Sequence, residues 1–393
     1  MAFDNTAKPN ERLDVLDGLR GIAALMVVLF HFMARWTEQM HVQSLYPYGD
    51  IFLEWFPPLR YFGVIGVQLF FLISGFVIIL TLQRCSGILD FAGRRFARLW
   101  PTMLVCATLT TLLVNGTGIH ARFLGTAYWE VQPLEYFASI FFIDPGLIGR
   151  YTGIENLRWV DGVYWTLWSE VRFYFVIAMV FWLTPRRFFL LAWLLIQAAS
   201  TSVGLLNDLS LAPQWPLLVS LLLQPGLLAW FTLGICGYYV WRGKTPRIVI
   251  LIALLAIIDL LTQRVVSVGS GVSEDALTWI GVYAAIVIPF ILFLTRSRLL
   301  TPLTSPLFVT IGLASYPLYM FHERAGIVAT TYMTDWGIPP LIAMVAAIAG
   351  LVWFAILMSR WLENPAKSLI LKFWKPLSIA VQARANFLKF SSK

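Results

Sequence analysis

Charge is scarce in this chain. Asp, Glu, Lys and Arg make up 13% of its 393 residues, 59% are hydrophobic, and the mean hydropathy is +0.75. Soluble domains carry about 25% charged residues, so a soluble globular enzyme and a disordered chain are both excluded. Cysteine is scarcer still. The three present, Cys85, Cys106 and Cys236, show no CxxC spacing, and the last two lie in apolar runs. That excludes a disulfide scaffold and reads as buried structural thiols. Of four histidines, His41 and His120 stand isolated, with no HxxxH or Cys/His spacing, so no metal site is expected. The first nineteen residues are polar, and the first apolar run, from Gly21, has no small-residue cleavage site. It is expected to remain as an anchor rather than leave as a signal peptide.

What the chain has instead is long apolar runs. Ten are long enough, or nearly so, to cross about 30 Å of hydrocarbon: 21–37, 62–83, 99–116, 166–184, 187–206, 215–241, 247–263, 276–295, 305–330 and 338–361. They predict an all-α polytopic membrane bundle. A shorter run at 134–149 is broken by Asp144-Pro145-Gly146 and reads as a re-entrant or interfacial helix. The net charge of +8 and pI near 9.5 hint at nucleic acid, but the basic residues are placed for a bilayer. With the N-terminus inside, 21 of the 29 Lys and Arg fall in cytoplasmic segments and six in outer loops, while Arg172 and Arg324 fall within spans. That bias is the positive-inside rule, and it puts both termini in the cytoplasm. Residues 1–12 then form a cytoplasmic tail, 13–367 the membrane domain, and 368–393 a basic, apolar tail suited to the inner leaflet. The outer loop 117–165, rich in Trp, Tyr and acidic side chains, reads as a partly ordered cap.

Ionisable groups inside a membrane are costly, so each is a functional-site hypothesis. Arg20 and His31 are eleven residues apart, three turns plus about 20°, which sets both on one helix face with His31 about 16 Å deeper. This suggests an anion-binding arginine at the inner mouth and a buried base near the midplane; the bland alternative is a hydrogen-bonded core histidine. Arg95 and Arg98 share a face at i, i+3. They suit either bidentate phosphate binding or a topology anchor. Glu170 and Arg172 open span four and cannot face each other at i, i+2, so each needs a partner elsewhere. His322, followed by Glu323 and Arg324, is either a proton-handling site or part of a structural ion-pair network.

The blocks Leu13-Asp14-Val15-Leu16-Asp17-Gly18-Leu19-Arg20-Gly21 with His31, Gly66-Val67-Gln68-Leu69-Phe70-Phe71-Leu72-Ile73-Ser74-Gly75-Phe76, and Arg95-x-x-Arg98 follow one another in order. After them come Trp165-Thr166-Leu167-Trp168-Ser169-Glu170-Val171-Arg172-Phe173-Tyr174, Ser315-Tyr316-Pro317-Leu318-Tyr319-Met320-Phe321-His322, and Glu363-Asn364-Pro365-Ala366-Lys367. Together they resemble the integral-membrane acyltransferase-3 family over nearly the whole chain. The resemblance implies transfer of an acyl group, usually acetyl from acetyl-CoA as co-substrate, to a hydroxyl of a carbohydrate such as an exported or surface polysaccharide. It implies residence in a bacterial-type inner membrane. It implies that Arg20 and His31 are the family's Arg-x10-His pair and that Arg95 and Arg98 bind the coenzyme. No appended periplasmic domain is expected.

On this reading the arginines hold the phosphates of acyl-CoA at the cytoplasmic mouth and the thioester reaches toward His31. A neutral imidazole there acts as general base on the acceptor hydroxyl or takes the acyl group itself. Glu170 is the candidate to orient or stabilise His31, unless it lies on the acceptor side, and His322 is the reserve base. Competing classes are a secondary transporter or flippase for a glycan precursor, disfavoured by the lack of two matching halves with broken helices, and a non-catalytic export partner. The acceptor, and whether the chain forms a homo-oligomer, stay open.

Overall fold

The computed structural model describes residues 9–35, 49–119, 130–208, 219, 222–262 and 276–391. Among them there is no strand, and the architecture is an all-α membrane bundle. Helix α1 (Pro9–Phe30) runs on into a π-helical turn, His31–Arg35. It is followed by α2 (Gly49–Trp55), α3 (Phe62–Arg84), α4 (Ile88–Thr117), α5 (Pro133–Ile140), α6 (Pro145–Thr152), α7 (Trp165–Leu183) and α8 (Phe189–Asp208). The remainder is α9 (Leu228–Trp241), α10 (Arg247–Thr262), α11 (Ala276–Leu294), α12 (Pro306–Leu313), α13 (Ser315–Phe321), α14 (Glu323–Asp335), α15 (Pro340–Met358) and α16 (Asn364–Ser391).

Seven stretches among the described residues are long and apolar enough to cross a bilayer: Asp14–Arg35, Pro57–Arg84, Ile88–Thr117, Gly162–Leu183, Arg186–Leu206, Leu277–Leu294 and Pro340–Pro376. The other three of the ten expected spans look different. Part of 215–241 lies outside the described residues, and its C-terminal part forms the 14-residue α9; α10 has 16 residues. The expected single span at 305–330 is three short helices. Pro317 has no N–H to give to Leu313, whose carbonyl instead takes the Ser359 hydroxyl at 3.3 Å. One turn later the His322 imidazole occupies the Tyr319 carbonyl at 2.8 Å, the acceptor that the Glu323 N–H would use in an unbroken helix. The segment 134–149 forms α5 and the start of α6, split where Asp144 caps α6 through the Leu147 N–H. Residues 120–129 of the expected outer cap lie outside the described residues.

Inside lipid, helices associate through close packing at small residues rather than through a hydrophobic drive. A Cβ on Gly75 of α3 would sit 2.0 Å from the Phe231 carbonyl oxygen, and one on Gly234 of α9 the same distance from that of Leu72. No side chain fits between these backbones, and Phe71 and Phe173 stack on Phe231 beside them, with ring centroids 4.5 and 4.1 Å apart. A buried polar cluster ties α8 to α9 and α10: Asp259 accepts from Gln197 at 2.9 Å and Ser200 at 3.4 Å, and Thr232 donates to Gln197 at 2.6 Å.

Candidate functional site

Among the described residues, the side chains singled out from sequence line two of the bundle's cavities. One is lined by Arg20, Arg95, Arg98, Glu170, Ser74 and Tyr174 among others. The other is lined by His31, Glu323, Gln68, Arg35 and Arg60 among apolar and aromatic side chains. Val67 and Tyr319 line both. The Tyr319 ring stands between the cavities, held by Thr166, which donates to its hydroxyl at 3.1 Å, and by an edge contact with Phe70.

The arginine cavity is assembled by glycine contacts and by two ion pairs. A Cβ on Gly18 would lie 2.3 Å from the Leu303 carbonyl oxygen, and one on Gly312 would lie 1.8 Å from that of Asp17. Helix α1 therefore meets α12 and the turn before it backbone to backbone, and that contact fixes the rotation that turns Arg20 into the cavity. Asp17 sits 4.0 Å from the Arg20 guanidinium. Along the basic run of α4, Arg94 is engaged by Asp90, Nε to Oδ1 at 2.8 Å. This leaves Arg95 and Arg98 for the cavity. Arg95 donates to the Thr81 hydroxyl at 3.0 Å and lies over the Tyr174 ring, 5.4 Å from its centroid. Glu170 accepts from the Ser74 hydroxyl at 2.6 Å and from the Tyr174 hydroxyl. Arg172 is separate: it donates to Ser169 at 3.1 Å and lies over Trp168. Glu363 and Lys367 fall within the same charge field as Arg20 and Arg98.

The histidine cavity holds a chain of hydrogen bonds whose directions follow from geometry. The His322 Nδ1 faces the Tyr319 carbonyl at 2.8 Å, and a carbonyl only accepts, so that nitrogen carries the proton. Its Nε2 is then the acceptor, 3.0 Å from the His31 Nδ1. His31 Nδ1 is also 2.9 Å from the Val27 carbonyl, which again requires a donor there. Neutral His31 is thereby held as the Nδ1–H tautomer, with its Nε2 lone pair turned to the cavity and the Glu323 Oε1 3.6 Å away. The π-turn that begins at His31 marks where α1 departs from regular geometry, as π-turns at functional positions commonly do.

Glu323 is positioned from the loop before α7. A Cβ on Gly162 would lie 2.9 Å from its Oε2, so the carboxylate packs directly against this glycine. Neighbouring Asp161 is wholly buried and accepts from the Val163 and Arg324 backbone N–H groups at 3.3 and 3.1 Å. Burial, with the Glu323 charge beside it, pushes the Asp161 carboxyl up to about 8. Arg324 clamps the same loop by donating to the Val160 carbonyl at 2.8 Å.

Of the residues singled out from sequence, Arg20, Arg95 and Arg98 are brought together, and so are His31 and His322. Glu170 joins the arginines instead of the histidines, and the carboxylate at His31 is Glu323. Tyr319, Gln68 and Asp161 were not singled out at all. Glu323 had a signal, a carboxylate next to a histidine in an apolar run; a lone Gln or Tyr in such a run carries none. Among the described residues no three His, Cys, Asp or Glu side chains group as metal ligands would.

Residues 13–360 match the acyltransferase domain family. The chain is 26% identical over 373 residues to the putative membrane-bound transacylase BcsY of Komagataeibacter xylinus, covering 91% of this chain and 83% of that protein. It is 26% identical over 191 residues to the O-acetyltransferase OatA of Staphylococcus aureus, 44% of this chain and 25% of that protein. It is 30% identical over 125 residues to nodulation protein 10 of Rhizobium leguminosarum bv. viciae, 30% of this chain and 33% of that protein. No solved structure matches it. A family match across nearly the full length, on an all-α membrane bundle, makes this chain a member of the acyltransferase-3 family of multi-pass membrane acyltransferases.

Proposed function

We propose that this protein moves an acetyl group from acetyl-CoA to a hydroxyl of a carbohydrate, as an O-acetyltransferase for an exported or surface glycan. The observation that carries the proposal is the state of His31: its Nδ1 is occupied by His322 and Val27, and its Nε2 is open to a cavity beside a carboxylate. That is the equipment of a general base. Arg20, Arg95 and Arg98 hold the coenzyme's phosphates at the mouth of the first cavity, where guanidinium forks match phosphate oxygens. The pantetheine arm runs up that cavity, and the thioester meets the acceptor hydroxyl at the wall formed by Val67 and Tyr319.

His31 Nε2 takes the hydroxyl proton as the oxygen attacks the thioester carbonyl. The tetrahedral intermediate collapses, the C–S bond breaks, and the imidazolium returns the proton to the departing CoA thiolate. Glu323 Oε1 stabilises the transient imidazolium and His322 holds its tautomer. Glu170, kept by Ser74 and Tyr174, is a positioning residue for the arginines rather than for His31. The arginine bias along the chain supports a cytoplasmic arginine cavity and an outward histidine cavity, with both termini cytoplasmic in a bacterial inner membrane. Residues 13–367 are the catalytic unit, flanked by tails at 1–12 and 368–393.

The test is CoA thiol release by purified protein in nanodiscs supplied with acetyl-CoA and glycan acceptors. His31→Ala should lose at least about 10²-fold in turnover, the low end for a general base, while acetyl-CoA still stabilises the protein against heat. Retention of more than a tenth of parental turnover in a folded His31→Ala protein would remove His31 from this role.

A further inference from the structure

The histidine cavity contains polar groups that the transfer chemistry leaves without a task. Arg60, from the 3-10 turn Pro57–Tyr61, lines it. Its Nε is buried with no hydrogen-bond partner, and none of the ion pairs among the described residues involves its guanidinium. Arg35, on the same cavity, differs, because its charge is felt by Glu323. Gln68, only 6% exposed, also lines the cavity, and its side-chain oxygen has no partner. A buried donor on a cation and a buried acceptor, both left open, each cost free energy unless something completes them. Around them Trp165, Trp230 and Tyr283 supply flat aromatic walls.

We infer that the acceptor is anionic: a carboxylate or phosphate on it seats on Arg60 while one of its hydroxyls donates to Gln68. The aromatic walls carry the sugar faces, and a second hydroxyl is left at His31 Nε2. This rests on the acyl-transfer reading and adds the class of acceptor. The chemistry follows from the complement of the site. A guanidinium fork that no carboxylate among the described residues pairs, in a cavity of mostly apolar lining, favours an anion over a neutral hydroxyl by a charge-assisted pair of hydrogen bonds. The anion has two sources, a substituent of the sugar itself or the phosphate of a lipid carrier.

The experiment uses the full chain in nanodiscs with acetyl-CoA and reads free CoA thiol with three probes. Methyl glucuronide has its anion on the sugar, citronellyl phosphoryl glucose has it on a lipid-like arm, and methyl glucoside has none. At equal subsaturating concentration, at least one anionic probe should exceed methyl glucoside by about tenfold, the worth of one charged hydrogen bond. The arm that responds names the source. Arg60→Gln should bring that ratio close to one, and Arg60→Lys should keep part of it. Equal rates with charged and neutral probes in the parent, no response to any probe, or an undiminished ratio in Arg60→Gln would each overturn the inference. Should Arg60→Gln not insert, the parent's own ratio decides. Stabilisation by acetyl-CoA that depends on Arg95 and Arg98 reports separately on the acyl-transfer reading, so the two can fail independently.

Discussion

Glu323→Gln tests the catalytic reading at its narrowest point, because it removes one charge and keeps the volume. The Glu323 Oε1 is 3.6 Å from the His31 Nε2, in a pair whose side chains are 12% and 8% exposed. Unit charges about 4 Å apart interact by about 4 kcal/mol at an effective dielectric of 20. The imidazole has gained only part of its charge in the transition state, and Arg35 and Asp161 share the Glu323 field. About half of that interaction, ~2 kcal/mol, is therefore at stake, a fall of about 30-fold in kcat. The KM for acetyl-CoA should hold, since the donor binds in the other cavity and a loss confined to the transition state leaves ground-state binding alone. A Gln amide can also donate to the Nε2 lone pair and block it, so Glu323→Ala, which cannot, separates lost charge from a new contact. Steady-state thiol release against acetyl-CoA concentration measures both constants. A fall of less than about threefold in both variants, or a raised KM with kcat unchanged, would refute the pairing of Glu323 with a charged His31.

Replacing Arg95 or Arg98 with Ala should weaken CoA affinity by about 10- to 100-fold each, the range for hydrogen bonds to charged groups, read by thermal-shift titration. Unchanged affinity in both would leave the cluster as a topology anchor. Asp161 titrates at about 8 when folded and near 4 when unfolded, so the folded state binds the extra proton between those values. Stability from this group is full below about pH 4 and is lost as pH rises through about 8. The melting temperature should therefore drop between pH 6 and 9, and Asp161→Asn should flatten that slope; an equal slope in the variant refutes the assignment. Gly75→Ala drives a Cβ to 2.0 Å from the Phe231 carbonyl oxygen and should cost at least about 1–3 kcal/mol, seen as a lowered melting temperature. A variant as stable as the parent would show that α3 and α9 do not meet there.

That one helix carries Arg20 and His31 was legible, because helical pitch is all that argument needs, but the two side chains line different cavities. The arginine pair of α4 was legible for the same reason, although only the structure distinguishes Arg94, spent on Asp90, from its neighbours. The two carboxylates were not. Glu170 stands near the start of an apolar run, which pattern alone puts at the membrane surface. Yet the loop before it is sunk into the bundle, with Val160, Asp161 and Tyr164 wholly buried. Helix α7 therefore begins at depth, and Glu170 falls beside the arginines. Glu323 was hidden by the opposite error, since a continuous helix over 305–330 gives no reason for the chain to turn at His322. The bond from the His322 ring to the Tyr319 carbonyl replaces a helical bond by a side-chain bond, and hydropathy does not register that exchange.

An ionisable residue in an apolar run is thus a weaker signal of function than the state of its valences. Asp259 is wholly buried in α10, and like His31 it interrupts a run of apolar side chains. Asp259 lines neither the arginine nor the histidine cavity. Its oxygens are taken by Gln197, Ser200 and the Gly226 N–H at 2.9, 3.4 and 3.3 Å. Such a group ties helices together, and its satisfied bonds leave nothing for a ligand. His31 has one nitrogen fixed by two acceptors, the other open to a cavity, and a carboxylate within reach of the charge it would acquire. The difference between a membrane staple and a base lies in that one unfilled lone pair, and only the partners brought in by α13 and α14 create it.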